Sequence, residues 1–190
     1  MHRGWNIVIG TLVIVLTLVA TWMMDGHTGV RKQPAPQVVP AAITYEAAPE
    51  ATLTTLSGKP VKLHDYSGKI VLLNFWATWC APCIAEFPQF IRLAQAMPDD
   101  VVILAVSIDE DQANIEKFLA RYVPEYKTTK NLHLFWDQDK SISQDLFQTV
   151  RVPETIIMTP EMMMARKVAG LSIEWDSDET KQYLGGLMAD

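Results

Sequence analysis

Only two cysteines occur in the 190 residues, Cys80 and Cys83, which excludes the disulfide framework that staples small secreted domains. Histidine is also sparse. His2, His27, His64 and His133 are scattered without metal-ligand spacing, and a structural zinc site needs four convergent ligands. Nor is positive charge in excess. Sixteen Lys and Arg stand against 22 Asp and Glu, for a net charge of −6, so the basic stripe that nucleic-acid binding requires is absent. No segment repeats at a fixed period, which excludes a solenoid. Glycine is limited to 9 residues while 49% of the chain is hydrophobic, a balance that suits a globular protein with a substantial core.

What is present starts with a long apolar run. "GWNIVIGTLVIVLTLVATWMM", residues 4–24, holds no charge, and about 20 apolar residues suffice to cross the hydrocarbon core of a bilayer. Trp5 and Trp22 lie near its ends, at the depth where amphipathic rings prefer to sit. A cleaved signal peptide would have a shorter apolar region and a small-x-small cleavage site, and "TWMMD" offers none. The run therefore predicts an uncleaved transmembrane anchor over 1–24 that inserts residues 4–24 into the lipid. Arg3 precedes the run while Arg31 and Lys32 follow it, so charge bias leaves the orientation open. Prolines 34, 36, 40 and 49 then mark residues 25–50 as an extended linker.

A domain is predicted over 51–190. "ATLTTL", "SGK" and "PVKL" read as a β-hairpin. "KIVLLNFWA" and "VVILAVSI" are continuous apolar runs of the kind buried on both faces of a sheet. Ile84, Phe87, Ile91 and Ala94 fall at helical spacing, as do Ile115, Phe118, Leu119 and Tyr122. "SISQDLF" reads as a short helix, "TIIMT" as a third strand with "ARKVAG" as its hairpin partner, and Tyr183, Leu184 and Leu187 line a terminal helix. The order of elements predicts an α/β sheet sandwiched by helices.

The two cysteines sit in "NFWATWCAPCIAEFPQF", just after a buried strand and at the start of a helix. A bridge closing so short a loop constrains the unfolded chain very little, so a structural staple is a weak reading. A redox dithiol suits the placement better. The Cys80 sulfur would meet unpaired backbone N–H groups and the positive end of the helix dipole, both of which favour thiolate. Cys83 lies one turn deeper on the same face, placed to resolve a mixed disulfide. Pro82 falls in the first turn, where its missing N–H costs nothing. Neither intervening residue is charged, which points to a reducing rather than a strongly oxidising pair. An oxidising compartment beyond the membrane is the natural place for such a pair. A Cu(I) chaperone using the same sulfurs, or a disulfide-forming oxidase, remains an alternative.

"WCAPC" after "VLLNFWAT", together with "EFP" and "VPET", resembles the thioredoxin superfamily, and within it the membrane-anchored TlpA/ResA/CcmG-like thiol–disulfide proteins of bacterial envelopes. The resemblance runs from about Ala51 onward. It implies a thioredoxin-like α/β fold, a central mixed β-sheet flanked by helices with an N-terminal β-hairpin, behind one transmembrane helix at the inner membrane and with the domain in the periplasm. It further implies Cys80 as the attacking and Cys83 as the resolving thiol of a redox-active disulfide, and Pro153 as a cis-proline facing it. The backbone of Val152 would pair with a substrate strand. Glu86, one turn past Cys83 in a C-x-x-C-x-x-E pattern, would exchange the proton of Cys83. Asn74 stands where thioredoxins proper carry an Asp. Trp79 and Phe87 are expected as an apolar collar around the pair, Phe75 and Trp76 as core, and Pro88 as a kink. "DEDQ", 109–112, reads as a loop and helix start. "MMM", 162–164, replaces the family's usual Asp/Gly hairpin turn, and flexible packing there is favoured over a soft-metal role. Implied partners are protein substrates with cysteine pairs, such as apocytochrome c or a copper-insertion protein, and a membrane thiol transporter of the DsbD/CcdA type as electron donor. No organic cofactor and no metal are called for.

Overall fold

Residues 45–188 are described by the computed structural model of the chain. The predicted anchor over 1–24 lies outside them, as does most of the predicted linker; among the described residues no helix is long and apolar enough to cross a membrane.

The apolar runs build the sheet. In chain order the strands are β1 (Glu46–Ala47), β2 (Thr52–Thr54), β3 (Pro60–Lys62), β4 (Ile70–Trp76), β5 (Val101–Ser107), β6 (Leu132–Trp136), β7 (Glu154–Met158) and β8 (Met163–Ala169). Six of them form one mixed sheet in the order β1-β8-β7-β4-β5-β6. Strands β4, β5 and β6 are parallel, whereas β7 runs antiparallel to β4 and β8 antiparallel to β7. All seven residues of β4 and of β5 are buried, as continuous apolar runs require of central strands covered on both faces. The predicted hairpin is present as β2 and β3, paired with each other in a separate two-stranded sheet and turning through Gly58 at φ 79°.

Two of the strands carry no clear signal in the sequence. Strand β1 pairs with β8 through Glu46↔Met164 and Ala47↔Met163, so the sheet already begins inside the stretch assigned to the linker. Strand β6 closes the opposite edge, with Ile103↔Leu132 to Ser107↔Trp136 in register. Only Leu132 and Phe135 of its five residues are fully buried, and "LHLFW" lacks the apolar continuity of β4 and β5.

Alternation along the strands sorts the core into two faces. Ile70, Leu72 and Trp76 of β4 join Val101, Ile103 and Ala105 of β5 on one face. There they meet α1 (Ala81–Ala96), α2 (Gln112–Tyr122) and α3 (Asp178–Gly186) through Phe87, Phe90, Ile115, Phe118 and Leu184. Val71, Leu73, Phe75, Val102 and Leu104 face the other way. That side is covered by Leu53 of the hairpin, by the 3-10 turn Leu63–Tyr66 and by Ile142 and Phe147 around the π-helix Ser141–Leu146, not by α-helices. Helices thus flank both faces, three α-helices on one and only the short π-helix and 3-10 turn on the other. The β5–α2–β6 crossover keeps α2 on the α1 side, and the N-terminal hairpin fills the opposite face. Two assigned face positions also differ: Ile84 is 36% and Tyr122 57% exposed, each at an end of its helix.

The methionine run spans the end of the β7–β8 turn, at Met162, and the first two residues of β8. Met162 sits at φ 61°, a left-handed conformation that costs a non-glycine residue about 1–2 kcal/mol, while its buried side chain packs in the second core face and offsets a similar amount.

Candidate active site

The site lies at the carboxyl ends of β4 and β5, the edge at which open α/β sheets place their ligand crevices. After Trp76 the chain leaves β4, and Cys80 becomes the N-cap of α1. Its Sγ accepts the backbone N–H of Cys83 at 3.2 Å, so one orphan amide of the helix start already points at the sulfur. Cys80 and Cys83 are joined in a disulfide with Cα atoms 5.3 Å apart. Cys80 is 5% exposed and Cys83 only 1%, so the first residue of the pair is the more accessible.

Glu86 follows on the same helix face and is almost wholly buried, at 1% exposure. Burial pushes its carboxyl from 4.5 up to about 7, against a lesser pull downward from the indole N–H of Trp175, which donates to Oε1 at 3.1 Å. Oε2 has no hydrogen-bond partner among the described residues. Trp175 is fully buried, its backbone N–H donates to Gln89 Oε1 at 2.9 Å, and its ring packs 5.1 Å from that of Phe90. The segment before α3 is thereby fastened to three positions of α1, one of them the carboxyl of Glu86. Nothing in the spacing of the sequence linked Trp175 to Glu86, 89 residues earlier.

Pro153 is buried and joined to Val152 by a cis peptide bond. The antiparallel register Phe75↔Glu154 sets it beside the end of β4, where the Cys80 loop departs. The rest of "VPET" now has a physical reading. Thr155 accepts a hydrogen bond from the Asn74 side-chain amide at 3.0 Å across the β4–β7 pair. Glu154, also buried, accepts from the Thr149 hydroxyl and stands 3.1 Å from Lys167 Nζ. Asn74 shares the α1-facing side of β4 with Leu72 and Trp76, and its Oδ1 has no partner among the described residues.

The apolar collar is half corrected. Trp79 is 67% exposed beside Cys80, but Phe87 is 1% exposed and packs its ring 4.5 Å from Trp76 in the core. Val150, 93% exposed, and Val152, partly buried, lie just before the cis-proline. Phe75 and Trp76 are buried on opposite faces of β4, and Pro88 lies inside α1.

A residue read as ordinary loop turns out to organise the site. Asp109, 2% exposed, accepts from the backbone N–H of Thr78 at 2.9 Å, from the Thr78 hydroxyl at 2.6 Å and from the Ser107 hydroxyl at 2.6 Å. Its own carbonyl accepts from the Trp136 indole at 2.6 Å. The loop Ala77–Cys80 is thus fixed by a carboxylate from the end of β5. Asp109→Asn keeps the shape but loses charge-assisted bonds, and is expected to lower the unfolding free energy by about 1–2 kcal/mol in urea titrations.

The profile of the AhpC/TSA family matches residues 44–167. The thiol–disulfide oxidoreductase ResA of Bacillus subtilis (strain 168) is 31% identical over 128 residues, covering 67% of this chain and 68% of that protein. The ResA of Geobacillus thermodenitrificans (strain NG80-2) is 42% identical over 83 residues, and the match spans only 48% of its length. Among solved structures, a thiol:disulfide interchange protein from Bacteroides sp. superposes with a TM-score of 0.59 at 26% identity, covering 76% of this chain and 90% of that one.

Proposed function

The chain belongs to the AhpC/TSA family, and from that premise we propose that it is a thiol–disulfide oxidoreductase that reduces protein disulfides through Cys80 and Cys83. The observation that carries this reading is the Cys80 sulfur at the helix N-cap, accepting the Cys83 amide while bridged to the Cys83 sulfur. In the reduced protein the same amide and the helix dipole would hold Cys80 as thiolate. Cys80 Sγ attacks one sulfur of a substrate disulfide, forming a mixed disulfide and releasing the other sulfur as thiolate. Cys83 then attacks Cys80 Sγ, the Cys80–Cys83 bond forms, and the second substrate thiolate leaves. Two electrons pass from protein to substrate. Glu86, with its carboxyl held near neutrality, takes the proton of Cys83 as that thiol becomes the nucleophile.

Substrate docking is assigned to exposed Trp79 and to the segment before Pro153. Among the described residues, no backbone group of Val150, Arg151 or Val152 is bonded to another backbone group, so an extended peptide can add there as a strand. The apolar run over 4–24 supports tethering at a bacterial inner membrane with this domain in the periplasm. Substrates of the apocytochrome c type or a copper-insertion protein, and recharging by a DsbD/CcdA-type transporter, suit that setting. The test is dithiothreitol-driven reduction of insulin, paired with a redox titration of the cysteines. Catalysis with a potential below roughly −200 mV is expected; a potential well above that value would make the protein an oxidant instead. Stoichiometric Cu(I) binding without disulfide reduction would make it a copper carrier.

A further inference from the structure

One lysine gathers several of the contacts that fasten the segment preceding Pro153 from behind. Lys167 of β8 donates through Nζ to the carbonyl of Phe147 at 2.8 Å and to that of Gln148 at 3.3 Å, and stands 3.1 Å from Glu154 Oε1. The same Oε1 accepts from the Thr149 hydroxyl. Thr149 also donates its backbone N–H to Ser143 at 2.8 Å. Gln148 sits at φ 53°, a left-handed conformation that a non-glycine residue keeps only when its surroundings over-determine it. Positions 147, 148, 149 and 154 are therefore tied on the inner side. Val150, Arg151 and Val152 between them lack backbone partners among the described residues, and Val150 is almost fully exposed.

Strands β7 and β8 are held by their own ladder from Glu154↔Ala169 to Met158↔Met164 and do not depend on this lysine. What depends on it is the ledge between the π-helix and the cis-proline. We propose that Lys167, acting through Glu154 and the carbonyls of Phe147 and Gln148, is a positioning residue that holds Val150–Val152 in the conformation a disulfide-bearing peptide strand docks against. The inference rests on the reductase reading above and adds to it the element that sets affinity for a polypeptide substrate. A small disulfide, which needs only the sulfurs, does not use the ledge.

The experiment compares full-length wild type, Lys167→Met and Lys167→Arg in dithiothreitol-driven reduction of insulin and of hydroxyethyl disulfide. Lys167→Met is expected to raise KM for insulin about five- to tenfold, with kcat and the rate on hydroxyethyl disulfide within about twofold of wild type. Lys167→Arg, which can still reach carbonyl and carboxylate, restores KM to within about twofold. Thermal unfolding followed in parallel reads the separate cost of leaving buried Glu154 without its lysine, and the kinetics are taken well below the Tm of each variant. An unchanged KM in Lys167→Met, or equal losses on both substrates, would overturn the positioning role. Wild type that reduces neither substrate would instead overturn the reductase reading beneath it.

Discussion

Cys80→Ser is expected to lower disulfide reduction by about 10³-fold or more, while Cys83→Ser leaves the first attack intact and accumulates a covalent adduct with its substrate. The asymmetry follows from placement. Cys80 caps the helix, receives the Cys83 amide at 3.2 Å and is the more exposed of the two cysteines. Cys83, one turn inside and 1% exposed, is placed to attack Cys80 Sγ once that sulfur is bound to substrate. Hydroxyl in place of the first sulfur removes the nucleophile, because serine is not ionised at neutral pH and cannot form the mixed disulfide. Hydroxyl in place of the second removes only the resolving step. Insulin turnover and mass spectrometry of the reaction mixture under non-reducing conditions read the two effects separately. Substantial turnover by Cys80→Ser, or an adduct on that variant and none on Cys83→Ser, would reverse the assignment. Alkylation by iodoacetamide across pH supplies the cause: Cys80 in the reduced protein is expected to ionise below the ordinary thiol value of about 8.5.

The strand and helix that carry these cysteines could be read from sequence because their signals are local. Seven consecutive buried residues in β4, Pro82 in the first turn and apolar spacing along α1 need no knowledge of distant parts of the chain. Strand β6 escaped for the opposite reason, since an edge position lets polar and half-buried residues interrupt the run, and β1 is two residues long. Ile84 satisfies the helical period, yet it lies in the turn of α1 that displays the disulfide, where the core does not extend over it. Proximity to the cysteines suggests the rim for Phe87, whereas four helical positions from Cys83 is already deep against Trp76. The site residues that could not be read are those whose partners are remote in sequence. Asp109 reaches back 31 residues to Thr78, and Trp175 reaches back 89 to Glu86. An acidic residue after a strand and a tryptophan before a helix carry no signal of such pairing. Glu86 itself was singled out by resemblance to a family pattern, because an isolated glutamate on a helix is ordinarily solvated.

Glu86 should also make the stability of the protein fall with rising pH in a window where most proteins are insensitive. Its carboxyl is held up to about 7 in the folded chain against an ordinary 4.5, first because burial penalises the ionised form, with the Trp175 indole opposing in part. Below about 4.5 both folded and unfolded chains carry the proton. Between about 4.5 and 7 the folded chain keeps a proton that the unfolded chain has released, so each step up in pH favours unfolding. Above about 7 both have lost it and the slope vanishes. A span of about 2.5 pH units at about 1.36 kcal/mol per unit gives a loss of about 3 kcal/mol between pH 4.5 and 8 from this one group. Glu86→Gln does not titrate, so the difference between wild-type and variant unfolding free energies, measured in urea at several pH values, should change by about that amount across the window. Comparing slopes rather than absolute values cancels the fixed cost of burying an amide where Oε2 now lacks a partner. Trp175→Phe supplies the control on cause. Without the indole donor the ionised carboxyl loses its one bond, and the upper end of the window moves above pH 7. Parallel wild-type and Glu86→Gln profiles would mean that Glu86 ionises at an ordinary pH despite its burial. It would then already be charged when Cys83 has a proton to give, with too low an affinity to take that proton at neutral pH.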